Sequence, residues 1–481
     1  MYDIHSKHAG DFINHQEILD TLSYAAENKK NETLIDATII KAKLGQSLSH
    51  REASLLLACE LEDKNQEIYT LAKQIKMQFY GKRIVLFAPL YLSNYCVNGC
   101  IYCPYHLQNK EMPRHKLSQD DIRQEVIALQ DMGHKRLALE AGEDPIHNTM
   151  DYYLESIKTI YDIKHKNGAI RRVNVNIAAT TVDNYRLLKE AEIGTYLLFQ
   201  ETYHKERYET LHPTGPKHNY DYHTEAMDRA MEGGIDDVGI GALFGLDDYA
   251  YEFTALLMHA EHLEAVFGVG PHTISVPRVR SADNIRVDSF TQGIDDATFA
   301  KIVACLRLSV PYTGIIVSTR EDKACREHLL KLGVSQLSGG SRTSVGGYHQ
   351  PTTEAKPCLT RSLKDSKQFT LHDNRTFDEI VHWLISLGYI PSFCTACYHE
   401  GRVGDRFMQL CKTGQIQNCC HPNSLMTLKE YAMDYATPAT KALADELIAH
   451  EIGNIPNEKV RNLVSENLRL IGENNRRDFR L

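Results

Sequence analysis

Three cysteines in a tight run are the residues of this chain best suited to metal chemistry. Cys96, Cys100 and Cys103 form a Cys-x3-Cys-x2-Cys motif directly after an apolar stretch, Arg83 to Leu92, that predicts a β-strand. An iron–sulfur cube is normally held by four cysteine thiolates, so a three-cysteine loop predicts one iron open to a non-protein ligand. A structural zinc site with His106 as fourth ligand is the alternative that spacing leaves open.

This spacing, with Tyr102 just before the last cysteine, resembles the signature of the radical S-adenosylmethionine (SAM) enzymes. The resemblance implies a [4Fe-4S] cluster whose open iron chelates the amino and carboxylate groups of SAM. It also implies that an electron from the cluster cleaves SAM to a 5'-deoxyadenosyl radical. We expect Tyr102 to lie at this cofactor.

The part of the chain that must position these cysteines alternates short β-rich runs with amphipathic helical segments. Eight such units predict an α/β fold with a closed (β/α)8 TIM barrel. Ser118 and Asp121 resemble a capping box at the start of one helix, and Gly133 ends it. The predicted strands are Arg83 to Ala88, Arg136 to Glu140, Val173 to Ala179, Thr195 to Gln200, Asp237 to Ala242, Thr273 to Pro277, Thr313 to Ser318 and Ser335 to Ser338.

The pattern divides the chain into three parts. Residues 1–81 are polar and helix-prone and predict an N-terminal helical cap, and residues 82–345 predict the barrel. Residues 346–481 are more than a barrel needs and predict a mainly helical extension with its own cysteine group.

Composition excludes several classes of protein. The net charge is −9, from 54 basic and 63 acidic residues, with no basic block, which argues against nucleic acid as a partner. The sequence has neither a membrane-length apolar window nor a secretory signal, so we expect a cytoplasmic protein. Its 12 cysteines should then be metal ligands or buried thiols. Cysteines without partner spacing are predicted to be core residues: Cys59, Cys305, Cys325 and Cys358.

Active-site residues of such barrels follow the carboxyl ends of the strands. The family resemblance implies that Glu143, after strand two, contacts the SAM ammonium, and that Glu201, after strand four, accepts from the ribose hydroxyls. The glycine-containing strand around Ile240 resembles the family's adenine-contacting strand. A solvated loop acid after a glycine turn is the alternative for Glu143, and its position in the order of strand-helix units argues against it.

Strand seven runs into Ser-Thr-Arg-Glu at residues 318–321. An arginine at this position can clamp a carboxylate through two parallel hydrogen bonds. Similar runs occur in the radical SAM lyases of aromatic amino acids, so the resemblance implies that Arg320 anchors an amino-acid substrate. A structural salt bridge is the alternative.

The extension contains a Cys-x2-Cys-x22-Cys group formed by Cys394, Cys397 and Cys420. With this group, the LEAGEDP run and the GPHTISVPR run near residue 270, the chain resembles the tyrosine lyases of [FeFe]-hydrogenase maturation. This resemblance implies that the three cysteines hold a second [4Fe-4S] cluster, and that His272 and a free L-cysteine bind a labile fifth iron there. His272 precedes strand six, so we expect it at the amino-terminal mouth, opposite the SAM site.

The reaction implied by this resemblance has two stages. L-tyrosine is first cleaved to p-cresol and dehydroglycine, and dehydroglycine then becomes CO and cyanide on the labile iron, giving an iron synthon. An electron donor and other hydrogenase maturation proteins are the implied partners, and the barrel lumen is the expected conduit between the two sites.

Alternatives to this function remain. A tyrosine lyase supplying dehydroglycine for thiazole synthesis shares the cysteine loop but has no use for the extension. A non-catalytic cluster or zinc scaffold is the third hypothesis, because Cys411, Cys419 or His421 could complete a four-ligand site in the extension. No pattern ranks Arg278, Arg280 and Arg342 as substrate or SAM contacts.

Overall fold

Eight parallel strands close into a barrel, as the sequence predicts. The computed structural model describes residues 1–282, 285, 287–290, 292–349 and 366–481. In the ladder, β10, β9, β8, β7, β6, β5, β2 and β1 are neighbours in that order, and β10 pairs with β1 to complete the ring. The strands are β1 (Arg83–Ser93), β2 (Arg136–Ala141), β3 (Lys164–His165), β4 (Gly168–Ala169), β5 (Arg172–Asn176), β6 (Tyr196–Leu197), β7 (Val238–Gly241), β8 (Thr273–Ser275), β9 (Gly314–Val317), β10 (Gln336–Ser338) and β11 (Ile390–Ser392).

Helices surround the barrel and cover its lower end. The Ser118 side chain accepts a hydrogen bond from the Asp121 amide, and the Asp121 carboxylate accepts one from the Ser118 amide. The predicted capping box is therefore confirmed. The helices are α1 (Ala9–Phe12), α2 (His15–Asn28), α3 (Glu32–Lys43), α4 (His50–Ala58), α5 (Glu62–Tyr80), α6 (Gln119–Asp131), α7 (Met150–Asp162), α8 (Val182–Glu190), α9 (Lys205–Leu211), α10 (Tyr220–Thr224), α11 (Ala226–Glu232), α12 (Tyr249–Phe267), α13 (Asp296–Ser309), α14 (Lys323–Leu332), α15 (Phe377–Ser386), α16 (Ala396–His399), α17 (Gly404–Lys412), α18 (Gln417–Asp434), α19 (Pro438–Ile452) and α20 (Glu458–Glu473).

Alternation along the barrel strands separates a cavity face from a core face. On β2, Ala138 and Glu140 line the internal cavity, whereas Leu137 and Leu139 are fully buried on the other face. Successive strand residues point to opposite faces, so each barrel strand contributes to the apolar core and to the lumen. Cys59, Cys305 and Cys325 are buried as predicted, and Cys358 lies outside the described residues.

The N-terminal helices pack on one side of the barrel. His50 Nδ1 lies 2.7 Å from Glu261 Oε2 on α12, and the Tyr80 hydroxyl donates to the Tyr312 carbonyl at 2.7 Å. These contacts hold α4 against the barrel helix α12 and α5 against the connection before β9, and neither contact involves a residue that lines the cavity.

The extension contributes a strand that the sequence pattern does not predict. β11 pairs in parallel with residues 83–85 of β1, on the same edge where β2 pairs with residues 88–93. Because β2 begins higher along this edge, β11 fills the vacant lower part of the ladder. Its carboxyl end leads directly to Cys394.

One buried arginine, Arg307, hydrogen-bonds to both the loop that precedes β9 and the loop that precedes β10. Arg307 is fully buried and donates to the carbonyls of Pro311 and Thr313 at 2.9 Å each and to that of Gly333 at 2.8 Å. Buried carbonyls need hydrogen-bond partners, and a charged donor supplies several at once.

Arg307→Met should therefore lower the free energy of unfolding by about 3 kcal/mol or more, because it leaves three carbonyls unsatisfied. Denaturant titration followed by circular dichroism measures this change. Arg123→Met, at a half-exposed arginine 3.9 Å from Asp120, is the matched control and should change stability little. Equal effects of the two substitutions would contradict the role of Arg307.

Candidate active site and second cysteine group

The three cysteines of the motif lie together at the carboxyl end of β1. Cys96, Cys100 and Cys103 all line a cavity of about 240 Å³ inside the upper half of the barrel. The loop is held through its backbone by the segment that follows α9, since the Gly99 amide donates to the Thr214 carbonyl at 2.9 Å. A segment distant in sequence therefore helps to hold the loop that places three thiols at one cavity.

Arg114 holds the two sides of this loop together. Its role was not predicted from the sequence. Its guanidinium donates to the carbonyls of Asn94 and Tyr105 at 2.7 Å and to those of His106 and Asn109 at 2.8 and 3.2 Å. Four carbonyls on both sides of the cysteines thus share one cation. The Pro-Arg pair that follows the motif is the only hint of this role in the sequence.

Gly142 allows the end of β2 to lie against the cysteine loop. A Cβ at this position would stand 2.3 Å from the Tyr95 carbonyl oxygen and 2.9 Å from the Cys96 Cβ. Glu143 follows and lines the cavity, where its carboxylate accepts from Asn98 Nδ2 at 2.6 Å. Burial raises the pKa of Glu143.

Glu201 also lines the cavity and has a buried cation as its partner. Its backbone has a positive φ of 68°, and Lys217 Nζ donates to its Oε1 at 2.7 Å. Burial by itself would lower the pKa of Lys217, but the charge of Glu201 outweighs it and raises that pKa. The lysine is therefore charged and neutralises Glu201.

Tyr102 lines the cavity with its hydroxyl fixed. The hydroxyl lies 2.7 Å from His212 Nε2, and His212 Nδ1 lies 2.7 Å from the Tyr208 carbonyl. Burial lowers the pKa of His212 well below its ordinary value, so the ring is neutral. The carbonyl takes the ring N–H, and Tyr102 therefore donates to Nε2.

Ile240 is buried in the core and is not among the cavity-lining residues. The adjacent Gly241 faces inward, because a Cβ there would lie 3.0 Å from Phe199 Cδ1 and 2.6 Å from the Ser275 carbonyl oxygen. An adenine contact at Ile240 would thus involve its backbone, and this contact stays a prediction.

Arg320 reaches the cavity from the end of β9, with its guanidinium 3.6 Å above the Phe369 ring. In the described part of the chain, that guanidinium makes no hydrogen bond or ion pair. The neighbouring Glu321 takes the structural ion pairs instead, with Arg278 and Arg280. Burial lowers the pKa of Arg320, and the nearby Tyr91 and Glu201 offset this effect only in part.

Two residues of the extension complete the cavity wall and were missed by sequence reasoning. Gln368 and Phe369 both line it, and Gln368 accepts from the Tyr91 hydroxyl at 2.8 Å. No motif marks them, because their role depends on a fold-back of the chain over the barrel mouth.

Of the three thiols of the loop, that of Cys100 is buried and those of Cys96 and Cys103 are partly buried. Burial raises the pKa of Cys96 and Cys100 and raises that of Cys103 to about 12. Metal binding must displace these protons. Three sulfurs on one cavity wall, with Glu143 and Glu201 beside them, fit an iron–sulfur cluster that also holds an organic cofactor.

A second cysteine group lies at the other end of the barrel. The Cys394 carbonyl accepts from Arg136 Nη2 at 3.1 Å, and Arg136 is the first residue of β2. The thiols of Cys397 and Cys419 are close enough to Cys420 to lower the pKa of Cys420 well below its ordinary value, and Cys394 is an electrostatic neighbour of Cys420 as well. The three predicted cysteines are therefore close together, with Cys419 beside them.

His272 lies at this lower end, as its position before β8 predicts. Its Nδ1 is buried without a hydrogen-bond partner in the described part of the chain and lies 3.5 Å from Asp237 Oδ1. Phe407, on α17, packs on the ring with centroids 4.8 Å apart. Arg136 is an electrostatic neighbour of both His272 and Cys394, so the two residues share one end of the barrel.

The two cysteine groups are separate sites. Neither His272 nor the cysteines of the extension line the upper cavity. Across the described ranges, no three His, Cys, Asp or Glu side chains surround a single ion position. A four-iron cluster distributes its ligands over separate irons, which is a different arrangement. Within the same ranges, no helix is long and apolar enough to span a membrane.

Family comparisons agree with this geometry. Residues 90–256 match the Radical SAM superfamily, and residues 275–390 match the Biotin and Thiamin Synthesis associated domain. A curated relative, 2-iminoacetate synthase of Salmonella typhimurium, is 27% identical over 362 residues, which cover 74% of this chain and 89% of the relative.

Two solved structures are similar over nearly the whole chain. A crystal structure of HydG, described as a maturase of the [FeFe]-hydrogenase, is 51% identical with a TM-score of 0.93, covering 98% of this chain and 100% of that one. HydG from Carboxydothermus hydrogenoformans is 40% identical with a TM-score of 0.82, covering 96% and 99%. The cysteine loop, the closed barrel and the extension are thus parts of one shared architecture, and the chain belongs to the HydG family of radical SAM enzymes.

Proposed function

We propose that this protein cleaves L-tyrosine to p-cresol and dehydroglycine and then converts dehydroglycine to CO and cyanide. The product is an iron-carbonyl-cyanide synthon for assembly of the [FeFe]-hydrogenase cofactor. The observation that carries the proposal is the Arg320 guanidinium, which lies in the cavity lined by the three loop cysteines and forms no hydrogen bond or ion pair with the described residues. The similar 2-iminoacetate synthase supports it, because 2-iminoacetate is dehydroglycine.

In this proposal the upper cavity holds a [4Fe-4S] cluster on the loop cysteines and SAM beside it. Glu143 accepts from the SAM ammonium, Glu201 accepts from the ribose hydroxyls, and Tyr102 and the Ile240 backbone complete the pocket. When bound and reduced by an electron donor, this pair supplies the radical that takes a hydrogen atom from the substrate. The protein itself binds and orients the substrate and SAM, and it keeps water out of the cavity.

Arg320 holds the substrate by its carboxylate. A guanidinium presents two parallel N–H donors to a carboxylate, and this geometry fixes direction as well as position. Phe369 packs against one face of the guanidinium at 3.6 Å and limits its rotation. The tyrosine side chain can then occupy one orientation relative to the cysteine loop.

The lower group is proposed to hold the second [4Fe-4S] cluster on Cys394, Cys397 and Cys420. His272 and a free L-cysteine bind the labile fifth iron, where CO and cyanide are captured. The buried His272 Nδ1 supports this role because it has no hydrogen-bond partner among the described residues. The lumen between the two ends is the proposed path for dehydroglycine, and other maturation proteins receive the product.

Anaerobic reconstitution with iron and sulfide tests the whole proposal. We expect about eight or nine irons per chain, from two four-iron clusters and one labile iron, and formation of p-cresol, CO and cyanide from tyrosine. p-Cresol without CO would instead indicate a lyase of the thiazole type. Zinc with no SAM cleavage would indicate a scaffold.

Cys397→Ala should retain p-cresol formation and lose CO, because tyrosine cleavage needs only the upper cavity. Gas and chromatographic analysis of the two products measures the separation. Cys305→Ala, at a buried core cysteine, is the matched control and should keep both products. Loss of both products from a folded Cys397→Ala protein with its SAM site loaded would refute this division.

Arg320→Met should raise the KM for tyrosine about 100-fold, because a charge-assisted pair inside the cavity is lost. SAM cleavage without tyrosine should persist, since the cysteine loop is untouched. Steady-state p-cresol assays give the KM, and 5'-deoxyadenosine release gives the uncoupled reaction. An unchanged KM would rule out Arg320 as the carboxylate anchor.

A further inference from the structure

The charged residues of the upper cavity are mostly paired with one another. Lys217 neutralises Glu201, and Glu321, behind the wall, neutralises Arg280. Glu143 accepts from Asn98 next to the cysteine loop. Glu143 and Glu140 thus each have an amide partner but no ion pair among the described residues. Because the proposed function assigns Glu143 to SAM, Arg320 and Glu140, which both line the cavity, are the cation and anion left for a substrate.

Glu140 occupies the middle of a row across three strands. Its backbone is in register with Tyr91 on β1 and with Asn176 on β5, and all three residues line the cavity. Asn176 Nδ2 donates to Glu140 Oε2 at 2.7 Å, while Oε1 accepts no hydrogen bond from the described residues. One carboxylate oxygen is thus available to a ligand.

Glu140 and Arg320 are within electrostatic range of each other and of Tyr91. An α-amino acid carries its ammonium and its carboxylate on one carbon, so its binding site needs an anion and a cation close together. The cavity offers this pair and leaves both members without a charged partner among the described residues. Burial disfavours the charged form of the Glu140 carboxyl, and the ammonium group of a bound ligand would stabilise that form.

We propose that Glu140 binds the amino group of the amino-acid substrate whose carboxylate Arg320 binds. This inference rests on the proposed function and adds a residue to its substrate site. Together the two side chains bind the amino group and the carboxylate on either side of Cα. They thereby fix the position of the nitrogen from which a hydrogen atom is taken. Asn176 positions Glu140 by occupying its second oxygen.

The titration of Glu140 gives the inference a pH signature. Burial raises its pKa to about 8, opposed by the Asn176 hydrogen bond and by Arg320, while Glu201 raises it further. Tyr91 and Tyr105 also face it, and both are neutral because burial raises their pKa values well above the ordinary value. Below pH 8 the protonated carboxyl loses its attraction for an ammonium group.

Ligand binding to the reconstituted, SAM-loaded protein without reductant tests the inference. The probes are L-tyrosine, 3-(4-hydroxyphenyl)propanoate, which lacks the amino group, and tyramine, which lacks the carboxylate. Glu140→Gln should weaken tyrosine and tyramine binding roughly 10- to 100-fold and leave the propanoate unchanged. Arg320→Met should weaken tyrosine and the propanoate and spare tyramine.

Glu252→Gln is the matched control. Glu252 is also buried, burial likewise raises its pKa to about 8, and its carboxylate accepts from the Tyr203 amide at 2.8 Å outside the cavity lining. This variant should bind all three probes as the unmodified protein does. Iron content and SAM binding confirm that each variant is folded.

The unmodified protein provides a test that needs no variant. Its preference for tyrosine over the propanoate should fall more than tenfold between pH 8.5 and pH 6.5, as Glu140 takes up a proton. Tyrosine binding that is insensitive to Glu140→Gln and to pH would overturn the inference and leave the proposed function standing. Failure of the unmodified protein to bind tyrosine at all would overturn both.

Discussion

The backbone ladder of β1 is the constraint on which the two sites depend. This strand has 11 residues, more than any other in the barrel, and it pairs with β2 above and β11 below along one edge. Its upper end leads into the first cysteine loop, and its lower end seats the strand that leads to Cys394. Because a parallel ladder fixes register, the separation of the two cysteine groups, on the order of 30 Å, is set by the length of one strand.

The charged residues of the upper cavity fall into two groups, those that form ion pairs within the protein and those that form none with the described residues. Lys217 and Glu321 balance charges that hold the wall together, so these residues contribute structure. Arg320 and Glu140 line the same low-dielectric lumen, and neither forms an ion pair with the residues that the structure describes. A zwitterionic ligand, as proposed above, would supply the missing charges. Arg320 and Glu321 are adjacent in sequence but differ in role, because Glu321 forms ion pairs with Arg278 and Arg280 whereas Arg320 lines the cavity.

The extension acts on both ends of the barrel. Gln368 and Phe369 complete the upper cavity, and α18 seals the lower mouth through the pairing of Arg171 with Glu430 at 2.7 Å and the stacking of Phe393 on Tyr431. The second cysteine group is thereby covered in part: Cys420 is buried, and Cys394 and Cys397 are partly buried. In this chain the amino-terminal mouth, whose residues in most barrels serve stability, therefore carries a second cysteine group.

The sequence by itself determined the features that depend on local pattern: the Cys-x3-Cys-x2-Cys loop, the eight β-rich runs, the Ser118 capping box and the placement of His272 below β8. Spacing and periodicity are enough for these, because neighbouring residues decide them. Only the tertiary structure decided that Arg114 holds the cysteine loop, that β11 joins β1, that Ile240 faces the core and that Glu140 shares a cavity with Arg320. These features arise where segments far apart in sequence meet, so the physical forces that create them, burial and pairing of charges, act between residues whose proximity no local pattern records.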